Sequence, residues 1–260
     1  MCASSPPQWQ LPTGVTRGVW EYTRSQQIAE EYDEYFAENR LFEFDEQVLA
    51  RYLRRSGVVV DLGAGTGRAL VSLARRGFHG IAIDLSPHML RIVAQKARLE
   101  NLPIQGLQAN IVDLDCLADH SADYVLCLFS TLGMIRGRQH RRRALDHARR
   151  ILKPGGLFVI HVHNFWFNLF DPLGRRWLLH HFCDKLRHKD VEWGDKFFHF
   201  HDIPQMFLHT FKQKELRAIL ARSGLKIRRW IPLSADRQRP LTRPWLFGRL
   251  RANGWIVVCE

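Results

Sequence analysis

Residues 58–67 read Val-Val-Val-Asp-Leu-Gly-Ala-Gly-Thr-Gly, and no other stretch restricts the fold as tightly. Three β-branched residues suit a short buried strand, where a branched Cβ packs well on a pleated surface. Asp61 closes that strand, and glycines at 63, 65 and 67 follow at once. Glycine lets the backbone turn tightly and lets a ligand come close to it. A helical pattern begins at Arg68, so the turn delivers the chain to a helix N-terminus, with unpaired N–H groups and partial positive charge. Strand, glycine turn and helix in that order form a site for a nucleotide-type ligand.

The remainder of the chain repeats the alternation. Residues 26–37 and 44–54 carry apolar side chains at helical spacing, at Ile28, Ala29 and Tyr32, then at Val48, Leu49 and Leu53. Strands are predicted at 58–62, 80–84, 104–109, 124–128, 157–163, 225–231 and 254–259. Helices are predicted at 68–76, 87–99, 139–152 and 212–223. Gly77 ends the first of these, and Ser86 with Pro87 opens the second. Alternating strands and helices imply an α/β fold, a mostly parallel seven-stranded sheet with helices on both faces. The predicted organisation is a flexible N-terminus over 1–20, cap helices over 21–56, and a ligand-binding domain over 57–260. An aromatic and histidine-rich insertion at about 164–211 interrupts that domain.

In such sheets ligands bind at the carboxyl ends of the strands. A dinucleotide fingerprint requires G-x-G-x-x-G, but here the spacing is G-x-G-x-G, and Arg68 stands where the third glycine would fall. Asp84 ends the second strand, where a carboxylate can accept from both hydroxyls of a ribose; NAD enzymes use such an acid too, so Asp84 alone leaves the ligand open. The run Asp61-Leu-Gly63-Ala64-Gly65-Thr66-Gly67 resembles motif I of class I S-adenosylmethionine-dependent methyltransferases. The resemblance runs from about Ile28 to Cys259 and is sharp between Val58 and Ile160, where Arg150-Ile-Leu-Lys-Pro-Gly-Gly-Leu-Phe-Val-Ile160 matches the family's fifth-strand entry.

The resemblance implies a Rossmann-like fold, S-adenosylmethionine as cofactor, and a set of binding residues. Asp84 would hold the ribose, with Leu85 and Met89 lining the adenine or ribose pocket. Family members often carry Gly-Asp after the third strand, where the acid accepts the adenine amino group. This chain has Asn110 and Ile111 instead, and Asn can still accept through its carbonyl oxygen; Asp113 is the alternative acceptor. Leu128, Phe129 and Ser130 would pass beside the methionine part and face the substrate. The segment Ile28-Ala-Glu-Glu-Tyr-Asp-Glu-Tyr35 resembles the helix that closes over the cofactor in small methyltransferases. There Tyr32 could cover it and Arg40 could reach its carboxylate.

Composition narrows the class. Five scattered cysteines without a C-x-x-C pair fit a reducing compartment and no structural zinc. No run approaches the ~18 apolar residues of a membrane span, so a soluble, cytoplasmic protein without a membrane span is expected. The formal charge is +12 and uneven. Residues 136–153 hold eight bases against Asp146 alone, and 222–251 hold nine against Asp236 alone. RNA, an anionic lipid surface or an acidic small substrate could each use such a face.

The segment 164–211 carries twelve aromatics, and eight of the thirteen histidines fall within 161–209. His161/His163 and His199/His201 are H-x-H pairs, each facing one way if on a strand. No Cys, Asp or Glu supports them at ligand spacing, so no metal is expected. An insertion that covers the site is the stronger reading, since small-molecule pockets use aromatic walls with a few polar groups. A general base is needed only for a protonated acceptor; His163 is the candidate, with Asn164 and His209 behind it.

Three functions follow. The first is a methyltransferase acting on a small molecule, with 164–211 as lid. The second is an RNA methyltransferase, because the order of Phe129-Ser-Thr, the arginine run and Lys-Pro-Gly-Gly is similar to tRNA wobble-uridine ester methyltransferases. The third is a non-catalytic S-adenosylmethionine-binding module that regulates a partner.

Overall fold

The computed structural model describes residues 6–37, 41–187 and 191–260. Helices α1 (Arg17–Arg24), α2 (Gln26–Ala37) and α3 (Leu41–Tyr52) precede the sheet. Then come β1 (Val58–Leu62), α4 (Arg68–Ala74), β2 (His79–Asp84), α5 (Pro87–Leu99), β3 (Ile104–Gln108) and β4 (Ala122–Cys127). They are followed by α6 (Arg138–Ile151), β5 (Leu152–His163), α7 (Pro172–Arg187), β6 (Asp195–Phe200) and β7 (Ile203–His209). The chain closes with α8 (Gln213–Arg222), β8 (Ile227–Pro232), α9 (Gly248–Arg251) and β9 (Gly254–Cys259).

Seven strands form one sheet in the order β3-β2-β1-β4-β5-β9-β8. The five strands from β3 to β5 run parallel, and β9 runs antiparallel to both its neighbours. Strand periodicity divides the core in two. Val60, Leu62, Phe158, Ile160, Trp255 and Val257 pack on one face, under α6 and α8. Val59, Val159, Ile256 and Val258 pack on the other, with Leu49 and Leu53 of α3 and Leu70 of α4. Both faces of every central strand are therefore buried, which explains the near-continuous apolar runs in the sequence.

Three elements depart from the sequence expectation. The fifth strand begins at Leu152 rather than 157 and runs through Lys-Pro-Gly-Gly. Gly156 permits this: a Cβ there would sit 2.7 Å from the Asp123 carbonyl oxygen, and the β4–β5 register shifts beside it. The segment 1–20, expected to be flexible, contributes helix from Arg17 onward, with the Thr16 hydroxyl accepting from the Val19 N–H at its start. The insertion is not one lid but two parts, helix α7 and the separate hairpin β6–β7.

A third core joins α1 and α2 to that hairpin through Val19, Ile28, Ile203, Met206 and Phe207. Gly18 lets α1 lie directly on β7, since a Cβ there would fall 2.1 Å from the Gln205 carbonyl oxygen. A polar hub ties the insertion to the sheet. The fully buried Arg141 of α6 donates to Glu192 at 2.6 Å and to the Ile135 carbonyl at 3.0 Å, with Glu215 of α8 at 3.9 Å. His209, at the end of β7, contacts Asp195 at 2.7 Å and Glu215 at 3.0 Å through its two ring nitrogens. Removing the cation takes from Glu192 and Glu215 their one fully buried counter-charge and opens a void in the hub. Arg141→Ala should lower the unfolding free energy by about 3–5 kcal/mol, read from urea titration; a loss within ~1 kcal/mol would show that the hub does not behave as a buried pair.

Candidate active site

The glycine turn is built as the sequence requires. Gly63, Gly65 and Gly67 all take left-handed dihedrals, with φ of +75°, +53° and +77°. At Gly63 a side chain is also excluded by space, because a Cβ would meet Thr131 Cγ2 at 2.3 Å. The N–H groups of Gly63 and Ala64 both donate to the Ile83 carbonyl at 2.8 and 3.0 Å, which seats the turn on the end of β2. Asp84 then holds it from below, accepting the Gly65 N–H and the Ser86 N–H at 2.8 Å each. Helix α2 presses on the turn from outside. Asp33 accepts from the Thr66 hydroxyl at 2.6 Å and pairs with Lys96 at 2.5 Å.

A cavity of about 300 Å³ opens above this turn. Asp61, Gly63, Ala64, Gly65 and Thr66 form its floor, with Asp84, Leu85 and Met89 from β2 and α5. Asn110 and Ile111 follow β3, Leu128 and Phe129 follow β4, and Tyr32 and His163 complete the expected set at the wall. Tyr32 stands over Gly65, at 3.9 Å from where a Cβ would be. Gly67 and Ser130 stand behind the wall. Gly67 starts α4, whereas the buried Ser130 accepts the His163 N–H and donates its own N–H to the His161 carbonyl, fixing β4 to β5. Arg40 lies outside the described residues. Tyr35 turns away from the cavity onto Phe200 and His201.

The other candidates are structural. Asn164 is buried, donating to the carbonyls of Arg249 and Ala252 and accepting from the Trp166 N–H. His209 belongs to the Arg141 hub. Asp113 pairs with Arg143 at 2.9 Å rather than facing the cavity. Asn110 donates to the Thr13 carbonyl at 2.9 Å and accepts from the Val112 N–H at 3.1 Å, so the N-terminal segment closes this end. Among the described residues no group of three or more His, Cys, Asp or Glu is placed to hold a metal ion.

Sequence reasoning expected the insertion to cover the site, but it missed the contribution of α1 to that roof and one polar cluster. Val19 and Tyr22 of α1 and Phe198, Phe200, Met206 and Phe207 of the hairpin face the glycine turn across the cavity. Below Phe129, Asp45 of α3 contacts His161 Nδ1 at 2.9 Å, both residues buried. The rings of His161 and His163 are 5.9 Å apart, and the Arg237 guanidinium lies over Phe129 at 5.7 Å. The H-x-H spacing signalled His161 and His163; nothing in the sequence signalled Asp45, which sits 116 residues away from His161.

Burial governs the ionisation of these groups. It raises the Asp61 carboxyl from 3.8 to about 7, with the charge of Asp84 adding to the rise. It also raises Asp84, against the N–H donors of Ser86, Gly65 and Leu85 that lower it. Burial, then the neighbouring His161, Arg237 and Lys196, push His163 well below 6.5. One oxygen of Asp61 is buried with no hydrogen-bond partner among the described residues. A buried acid in that state favours a cation beside it.

Strand order, glycine turn and ribose-type acid define the class. Residues 59–156 match the methyltransferase domain family, and the fold is that of the class I S-adenosylmethionine-dependent methyltransferases. Among curated proteins it is 29% identical over 122 residues to a putative methyltransferase of Geobacillus sp., covering 46% of this chain and 49% of that relative. The chain thus spans about half the length of that relative. Among solved structures it resembles a S-adenosylmethionine-dependent methyltransferase of Methanosarcina mazei, with a TM-score of 0.66 and 21% identity, covering 82% of this chain and 95% of that one. It also resembles the 1,6-didemethyltoxoflavin-N1-methyltransferase of Burkholderia thailandensis, solved with 1,6-didemethyltoxoflavin and S-adenosylhomocysteine. That likeness has a TM-score of 0.61 and 16% identity, over 96% and 92% of the two chains.

The Asp61 proton makes a sign-specific prediction. The folded, ligand-free protein holds a proton that the unfolded chain releases near about pH 4. The stability that proton contributes is complete below about pH 4 and is lost as pH rises through about 7. A cationic ligand beside Asp61 reverses the preference and expels the proton. Affinity for S-adenosylmethionine should therefore weaken as pH falls below about 7, by up to ~tenfold per unit. Calorimetry in buffers of different ionisation enthalpy should read proton release, and Asp61→Asn should remove it. An affinity that does not change with pH would place Asp61 away from the cation.

Proposed function

We propose that the chain transfers the methyl group of S-adenosylmethionine to a small, largely apolar, ring-bearing acceptor enclosed beneath the β6–β7 hairpin. The roof carries this reading: Phe198, Phe200, Met206 and Phe207 line the cavity together with Tyr22, Tyr32 and Phe129, giving it a largely apolar, aromatic wall. Aromatic walls with few polar groups suit a flat apolar ligand.

The residues present fit the cofactor. Asp61, buried with a free oxygen, suits a cationic group. Asp84 accepts the Gly65 N–H on one oxygen and the Ser86 N–H on the other, and its remaining acceptor capacity suits a ribose hydroxyl. Leu85, Met89 and Ile111 offer apolar faces to the adenine, with Asn110 at its polar edge. Gly63 to Gly67 bring backbone close to the methionine part, beside Leu128 and Phe129, and Tyr32 covers the turn. When bound, S-adenosylmethionine supplies an activated methyl on a sulfonium. The protein's tasks are then alignment and exclusion of water, served by the apolar roof. Burial keeps His163 neutral, so its imidazole can accept a hydrogen bond from an O–H or N–H of the acceptor.

The charge that suggested RNA is largely engaged within the protein. Of the bases in 136–153, Arg138 and Arg141 pair with Glu192, Arg142 with Asp146, Arg143 with Asp113, Arg150 with Asp119, and Lys153 with Asp123. Arg136 lies over the Phe197 ring.

Labelled-methyl transfer into fractionated lysate tests the reading: label should enter the small-molecule fraction. Label in RNA would replace it with the second function, and cofactor binding without any methylated product would replace it with the regulatory module. Asp84→Ala removes two charge-assisted bonds as well as the ribose acceptor, so cofactor affinity should fall by on the order of a hundredfold or more, read by calorimetry. His163→Ala should lower kcat by on the order of a hundredfold while cofactor affinity stays within about threefold. An unchanged kcat would remove His163 from the reaction.

A further inference from the structure

Helix α7 has apolar side chains on two sides. Inward, Trp177 and His181 stack at 4.8 Å and pack with Phe165 and Trp193. Outward, Leu179, Phe182 and Leu186 are spaced i, i+3 and i+7 and form a second stripe facing solvent. Leu179 is 73% exposed and Leu186 75%. A helix apolar on both sides calls for a second partner on its outer one.

A second such feature lies nearby, because α7 and α9 both pack on the turn Phe165–Phe170. The loop before α9 presents Trp245, 79% exposed, and Phe247, 69% exposed. The turn Phe165–Phe170 lies between the two segments. Asn164, at its start, donates to the carbonyls of Arg249 and Ala252. Gly174 of α7 packs against its other end, since a Cβ there would sit 2.3 Å from the Asn168 carbonyl oxygen. Phe170 is itself exposed.

The charges around these side chains have one sign. Arg175, Arg176 and Arg187 stand within or beside the α7 stripe, and Arg243, Arg249 and Arg251 surround the Trp245 loop. None of these six lies within 4.0 Å of a carboxylate among the described residues. Asp171 accepts the Gly174 N–H at the start of α7, and Asp184 falls on the helix flank away from the stripe by its 100° spacing. The contrast with α6 is direct: there the arginines are matched by carboxylates, and here apolar and aromatic tips project among unmatched ones.

We propose that this face, α7 together with the Trp245 loop, docks on an anionic lipid surface. Apolar side chains enter the headgroup boundary while arginines meet lipid phosphates, as in helices that lie in the membrane plane. Trp and Phe at the tip suit the interfacial layer. No described helix is long and apolar enough to cross a bilayer, so the contact is peripheral. The proposal stands apart from the acceptor assignment, because it concerns a surface outside the cavity.

Vesicle flotation with the full chain tests it. The protein should partition onto phosphatidylcholine vesicles containing phosphatidylglycerol at least ~tenfold more strongly than onto pure phosphatidylcholine, and added salt should weaken binding. Trp245→Ser with Phe247→Ser, and separately Leu179→Ser with Leu186→Ser, should each weaken it about tenfold, with the thermal transition and cofactor binding unchanged. Equal binding to both vesicles, or anionic binding untouched by either pair, would overturn the proposal. So would a wild-type dimer that ignores vesicles and dissociates on Leu179→Ser with Leu186→Ser, which would make the stripe a self-association surface. RNA binding lost in the same variants without vesicle binding would overturn it as well.

Discussion

Asp84 receives the Gly65 N–H on one oxygen and the Ser86 N–H on the other, and the rest of the site depends on that pair of bonds. One carboxylate thereby fixes the glycine turn after β1 and the start of α5 after β2. The turn can pass so close to β2 because its glycines adopt dihedrals that side chains resist. Asp61 lies one strand over, and two acids share a region of low dielectric. Burial raises both carboxyls, and the charge of Asp84 adds to the rise at Asp61, which a neighbouring cation would relieve. The same geometry that builds the turn thus prepares an electrostatic need that the cofactor can meet.

Net charge proved a poor guide to the surface. The α6 segment reads as a strongly basic patch, yet its residues face Glu192, Asp113 and Asp119 from other parts of the chain and Asp146 on the helix itself. Arg141 is fully buried at the centre of a carboxylate group that also holds His209. Position along the chain cannot show which charges are neutralised in space. The arginines of 239–251 are arranged differently, with exposed aromatic tips among them.

The sheet was legible because each central strand carries its signal locally. Val58-Val-Val and Phe158-Val-Ile are short β-branched or aromatic runs, and Gly77, Ser86 and Pro87 mark helix ends by their own backbone chemistry. The cofactor end was legible for the same reason: the turn, Asp84, Met89 and Phe129 all follow directly from strand ends. The share of α1 in the roof was not. Helix α1 is held by a third core built with the hairpin, and neither piece shows a clean period before the other is present. The Asp45–His161 contact likewise joins distant segments. The fifth strand began earlier than expected because Gly156 lets the chain keep pairing through a segment that reads as a turn.

Gly18 rests against the carbonyl of Gln205, with no room for a single added carbon. The two layers of the roof therefore come from segments separated by all five parallel strands. During synthesis α1 must wait, its apolar face exposed, until those strands have emerged and the hairpin can meet it. Such long-range closure is slow, because loop entropy is lost before any contact compensates it. The roof of the cavity consequently closes only after the five parallel strands have emerged, while β9 and β8 have still to complete the sheet.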